Sequence, residues 1–341
     1  MSVLSNRPSR LLASACLLTL LYTSSAYAES AREQWHAQLS SGYTALADAS
    51  SDLHQQATEH CATRQETAAA PLRDDWLRAF LAWQRVRFID FGPIEQNSMA
   101  WQFQFWPDSK NLIARQVDRW MKDQRPVSSQ ALAGESVALK GFPAMEYLLY
   151  GEQSDTVSPR GCELLVAISA QVSANATHLV EQWAAFKPHY LESDSYQTTT
   201  ISAAMHSLEI MRDARLGAPM GLQGKKRRNP YLADAWRSEQ SLTAIQATLQ
   251  GLQSEFLPGF ATVMRDAGKE QLLTQFEETL AGTLERIDSL PSDVSASLKD
   301  EQLYRGLQLL FVDIDRLASL LNGPIASELG IVKGFNSSDG D

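Results

Sequence analysis

Leu303-Tyr304-Arg305-Gly306-Leu307-Gln308-Leu309-Leu310-Phe311-Val312-Asp313-Ile314-Asp315-Arg316-Leu317-Ala318-Ser319-Leu320-Leu321 decides the fold. Leu303, Leu307, Leu310, Ile314, Leu317 and Leu321 recur at spacings that alternate four and three. Side chains so spaced share one side of a helix, and such a seam packs in a bundle. The helix is predicted over Ser292 to Leu321. Asn322-Gly323-Pro324 stops it, because glycine ends a helix easily and proline cannot extend one.

Outward from that seam, nearly every stretch has the same period. From Ala31 to about Thr63 the stripe is Trp35, Leu39, Tyr43 and Leu46. Between Pro71 and Phe91, Trp76, Phe80 and Trp83 continue in register through Arg87 and Asp90, which predicts that the charged end also faces inward. Phe91-Gly92-Pro93 is read as its stop. Trp101-Gln102-Phe103-Gln104-Phe105-Trp106 alternates apolar and polar, and reads as an ordered extended loop closed by Pro107. Asp108 can cap a helix over Ser109 to Asp123. Ser158-Pro159 opens a long helix that should end before Pro188. Further helices are predicted over Ser195 to Arg215, Asp234 to Phe256 and Pro258 to Ser289. Between them, Lys225-Lys226-Arg227-Arg228 reads as a solvated basic loop. Val/Ile-rich strands and βαβ alternation are missing from the pattern. The expected class is all-α, with two four-helix-bundle-like halves packed together, residues 29–190 and 191–341, and few or no strands.

Residues 1–28 read as a secretory leader. Arg7 and Arg10 precede an apolar core from Leu11 to Tyr22, and Ala26-Tyr27-Ala28 is an A-x-A cleavage site. Cys16 raises a lipoprotein alternative, but only Leu11 to Ala13 of the core precede it, so cleavage after Ala28 and a periplasmic address are expected. No later stretch approaches the ~20 apolar residues that cross a bilayer, so no membrane span is expected in the mature chain. Removing the leader takes the formal charge from −10 to −12 over 313 residues. That excludes nucleic acid as a natural partner and is compatible with cations. Cys61 and Cys162 remain. In an oxidising compartment a disulfide is the economical reading, ahead of two buried thiols or a metal pair.

Gly141-Phe142-Pro143-Ala144-Met145-Glu146-Tyr147-Leu148-Leu149-Tyr150-Gly151 carries one acid in an otherwise apolar run. Pro143 suits a first helical turn. Glu146 falls about one turn in, where the helix dipole favours negative charge by roughly 0.3–1 kcal/mol. So apolar a setting calls for a partner to the carboxylate.

This run resembles the signature of the imelysin-like family of bacterial envelope proteins, Gly-x-His-x-x-Glu followed by an apolar Tyr-Leu-Leu run. Gly141 and Glu146 match; Pro143 stands where the pattern has histidine. Trp83-Gln84-Arg85, Phe91-Gly92-Pro93, Phe105-Trp106-Pro107-Asp108, Arg160-Gly161-Cys162, Arg215-Leu216-Gly217-Ala218-Pro219 and Trp236-Arg237-Ser238 are similar to further family landmarks. So is the ending, from Leu329-Gly330 to Asp339-Gly340-Asp341. The resemblance implies two similar helical bundles with a functional site where they meet, a role in iron uptake, and a metallopeptidase activity that rests on the His/Glu pair.

Three constellations could carry chemistry. Glu146 alone is a poor transition-metal site, and a metallopeptidase needs three protein ligands and an open position. His206 and Glu209 share one helix face and are weak metal candidates with Glu146; an ion pair is the simpler reading. Around the motif residues Gly141, Pro143 and Glu146, a polar cluster of Arg85, Arg87, Asp90, Asp108, Arg215 and Arg237 is expected at the junction, with Trp106 as core or pocket wall. Arginines there either pair with carboxylates or hold a small anionic ligand. The expected function is a non-catalytic binding component of iron or other divalent-metal acquisition, acting with a metal ion, a small anion or other envelope iron-uptake proteins. The alternatives are a peptidase and an interaction module.

Overall fold

Ser30 starts the first helix. Its hydroxyl accepts the Glu33 amide hydrogen, and the Glu33 carboxylate accepts from the Ser30 amide, a reciprocal cap. Helix α1 (Ala31–Thr63) follows. In this computed structural model, residues 1–2, 29–65, 69–152, 154–223 and 227–331 are described. Residues 3–28 of the expected leader, Lys225 and Lys226, and the landmark residues beyond Ile331 lie outside them.

After α1 come α2 (Ala69–Val86), α3 (Met99–Phe103), α4 (Leu112–Lys122), α5 (Ser129–Ala133), α6 (Gly141–Tyr150) and α7 (Pro159–Glu192). The second part contains α8 (Ser195–Ile210), α9 (Ser241–Gly251), α10 (Leu257–Asp266), α11 (Glu270–Asp288), α12 (Val294–Lys299) and α13 (Glu301–Leu320). Wider π turns prolong α8 through Gly217, α9 through Phe256 and α13 through Ile325. No strand occurs among the described residues, and the fold is all-α.

Helix α1 packs along α7 and α2; its stripe Trp35, Leu39, Tyr43 and Leu46 is buried. Cys61 on α1 and Cys162 on α7 form the expected disulfide, with Cα atoms 5.3 Å apart. Across the molecule, α2 packs on α9 and α1 on α10. Gly251 permits the first crossing, since a Cβ there would lie 1.9 Å from the Arg85 carbonyl oxygen. In α13 the seam residues Leu307, Leu310, Ile314, Leu317 and Leu321 are buried; Leu303 is half-buried, and Tyr304 fills the core beside it.

Several boundaries differ from the sequence reading. Helix α2 ends at Val86 rather than Phe91, so Arg87 points back to the core while Asp90 is exposed. The alternating run at Trp101 is half helix: α3 holds Trp101 to Phe103, with Trp101 at the surface and Phe103 in the core. Helix α7 continues through Pro188 to Glu192. The predicted helix over Pro258 to Ser289 is broken at Gly268, whose φ of +66° only glycine adopts without cost. Ala233 to Gln240, predicted helical from Asp234, is a chain of turns with Ala235 and Glu239 at positive φ.

Candidate functional site

Gly141 fixes where the motif sits. Its φ is +69°, and a Cβ would lie 2.2 Å from the Phe103 carbonyl oxygen, so only glycine lets α6 start against α3. From there α6 carries Pro143 and Glu146 to the wall of a cleft of about 740 Å³. The other walls come from α2, the segment Gln104–Asn111, α4, and the turns Asn229–Glu239 with α12.

Glu146 is 4% exposed. Its Oε1 accepts from the Ser238 amide and the Ser238 hydroxyl, both at 2.8 Å. Oε2 takes no hydrogen bond from the described residues and is open to the cleft. Burial pushes the Glu146 carboxyl above its ordinary range; the Ser238 donors and the Arg237 charge pull the other way without cancelling it.

Arg237 does not ion-pair with Glu146. Its guanidinium lies over the rings of Trp236 (4.3 Å) and Tyr147 (5.2 Å), with one N–H toward Asn111. The Tyr147 hydroxyl donates to Asp118; burial first, and then this bond to a carboxylate, raise the phenol to about 12. Asp108 caps α4 as the sequence implied, accepting from the Leu112 and Ile113 amides.

Behind the cleft lies a buried charge network. One Asp234 oxygen accepts from Arg87 (3.0 Å) and lies 3.1 Å from Arg215. Arg215 also donates to Thr248 and Gln84, and Gln84 donates to Gln104, which accepts from Trp83 as well. Burial lowers Arg215 to about 10 despite the Asp234 carboxylate, and lowers Arg87 too. Arg87 stacks on Trp106, so the network supports the cleft wall from inside.

A family model described as imelysin, peptidase M75, matches residues 39–321. The chain belongs to the imelysin family. Its fold is similar to the crystal structure of an imelysin-like protein from Psychrobacter arcticum 273-4, at 21% identity and TM-score 0.78 over 89% of this chain and 98% of that one. It is also similar to a protein from Parabacteroides distasonis ATCC 8503 described as an iron-regulated protein A precursor, at 12% identity and TM-score 0.64 over 87% and 96%. No curated protein matches.

The imelysin motif and the predicted cluster are only partly brought together. Pro143, Glu146, Trp106, Asp108 and Arg237 line the cleft, Arg87 and Arg215 lie behind it, and Gly141 anchors it. Arg85 is elsewhere, paired with Glu255 on the prolonged α9. Asp90 is bound to His206 (2.8 Å) at the surface, and Glu209 accepts from Asn322, so neither His206 nor Glu209 supplies Glu146 with a second ligand. Among the described residues no three His, Cys, Asp or Glu side chains converge as a metal cage. With one Glu146 oxygen engaged by Ser238, the residues here do not fit a bare metal ion. Asp234 and Ser238 are the functional positions that the sequence reading missed. The Trp236-Arg237-Ser238 landmark marked the segment without indicating that its serine serves Glu146.

Proposed function

We propose that the protein is a periplasmic, non-catalytic binding component of iron or other divalent-metal acquisition, with the Glu146 cleft as its ligand site. Family membership supports the reading, as do the structural neighbour described as iron-regulated, the leader read at residues 1–28 and the acidic charge. The observation that carries it is the state of Glu146. One oxygen is held by Ser238, the other opens on the cleft, and Pro143 replaces the imidazole that could share proton transfer. Such a carboxylate can hold a ligand, and among the described residues no imidazole lines the cleft beside it to share proton transfer. A metal handled here would bring its own ligands, or be passed on by a partner protein of the envelope.

The test is the iron content of cells grown under iron limitation with and without the gene. Loss should lower cellular iron; the wild-type chain should restore it, and Trp236→Ala should not. Unchanged iron on deletion would sink the reading. One observation favours a peptidase instead: a carboxyl raised by burial suits general acid–base work. Sustained cleavage of casein-derived peptides, abolished by Glu146→Gln, would carry that rival.

A further inference from the structure

Three features of the cleft bear on the kind of molecule it holds. The first is Glu146 Oε2, a carboxylate oxygen on a side chain more than nine-tenths buried that takes no hydrogen bond from the described residues. Because that oxygen opens on the cleft and no protein donor holds it, it can accept from N–H groups that a ligand brings, in place of water. The second is the wall. Trp76, Phe80, Trp106, Tyr147, Tyr150 and Trp236 line one space; arginines already lie over Tyr150, Trp106, Tyr147 and Trp236, so what this wall leaves to a ligand is chiefly apolar ring surface for its body. The third is charge. The lining residues include six acids (Asp108, Asp118, Glu146, Glu152, Glu239 and Asp293) against two bases, Arg237 and Lys299. Even where a carboxylate caps a helix, its field still acts across the cleft. Arg237 lies over Trp236 and Tyr147 by its face and keeps N–H donors at its edge, but as one of two bases against six acids it leaves the lining net negative.

We propose that the cleft takes a small organic cation, a primary ammonium or amidinium on a compact apolar body, with its N–H groups donating to Glu146 Oε2 and its body lying among the rings. The volume of about 740 Å³ suits it, being within the ~300–1,000 Å³ of small-molecule sites. This inference rests on the reading that the cleft is the ligand site, and it adds the chemical class.

The experiment is calorimetric titration of the full mature chain at neutral pH, with benzamidine and phenethylamine as cations, phenylacetate as anion and 2-phenylethanol as neutral control. At least one cation should bind about tenfold or more tighter than phenylacetate and 2-phenylethanol. Glu146→Gln should erase that preference. Trp236→Ala, a second variant should the first fail to fold, should weaken the cation by about fivefold or more. Tighter binding of phenylacetate overturns the cationic class; if Trp236→Ala then abolishes it, the cleft remains the ligand site. A cation preference that survives both variants overturns the placement at Glu146. Failure of every probe to bind below about 10 mM overturns the proposal. If, in addition, Trp236→Ala restores cellular iron as well as wild type, the cleft reading falls with it.

Discussion

Asp234 is the carboxylate on which the buried network depends, and Asp234→Asn isolates its charge. The side chain is 2% exposed, and one of its oxygens lies 3.0 Å from Arg87 and 3.1 Å from Arg215. Asparagine keeps the shape and one acceptor oxygen, but leaves two guanidinium groups facing each other in the interior. Each contact has a gross attraction of about 4 kcal/mol at an effective dielectric of 20. Measured losses on removing one partner of a buried pair run about 3–5 kcal/mol, and Arg87 can relax a little toward solvent, so that range is expected here. An unfolding entropy of roughly 2.1 cal/mol/K per residue over residues 29–341 converts it to a fall in Tm of about 5–8 °C. Thermal melts followed by circular dichroism at pH 7 measure this. The diagnostic comparison is Arg87→Met, which should destabilise the wild type but rescue part of the loss in the Asp234→Asn background by removing an uncompensated charge. A fall below about 2 °C for Asp234→Asn, or an equal cost of Arg87→Met in both backgrounds, would refute the reasoning.

Three further outcomes follow from the same geometry. Because burial holds the folded Glu146 carboxyl above its ordinary value of 4.5, its contribution to stability is full below that pH and is lost as pH rises through the folded value; the Tm of Glu146→Gln minus that of wild type should therefore be more positive at pH 8 than at pH 5, and a pH-independent difference counts against the burial argument. Replacing Cys61 and Cys162 by serine opens a cross-link spanning 101 residues and should cost about 2–4 kcal/mol in urea melts, with no effect of reductant on the variant. Gly141→Ala meets both a positive φ and the Phe103 carbonyl, and should cost more than the ~1–3 kcal/mol of backbone strain alone. Gly134→Ala, with open space around it and an ordinary helical φ, should be neutral or mildly stabilising; equal effects would show that the close approach at Gly141 is not decisive.

What the sequence disclosed and concealed has a physical pattern. The α1 and α13 stripes were readable because a helix buried on one side must repeat its apolar residues at three and four. Boundaries were harder. Helix α2 stops at Val86 although no breaker stands there, since turning the chain at that point lets Arg87 reach Asp234. Pro188 did not end α7, although it forfeits the bond its N–H would make one turn back; the helix runs on to Glu192 and buries Tyr190 in the core. At the site, Glu146 was legible as a charged residue in an apolar run. Ser238 was not, because a serine 92 positions away carries no local sign that it will donate to that carboxylate. Asp234 looked like the start of a helix, an assignment that its long-range pairing with two arginines overrode.

The turns from Ala233 to Gln240 are pinned twice, four residues apart: Asp234 is held by the arginines behind, and Ser238 is tied to α6 in front. Between those anchors hang Trp236 and Arg237, with little freedom left to lose. A guest arriving in the cleft would thus meet a wall already in place and would spare the entropy of organising it. The same arrangement ties the existence of that wall to distant parts of the chain. An imperfectly folded molecule would lack the pocket altogether rather than present a weakened version of it.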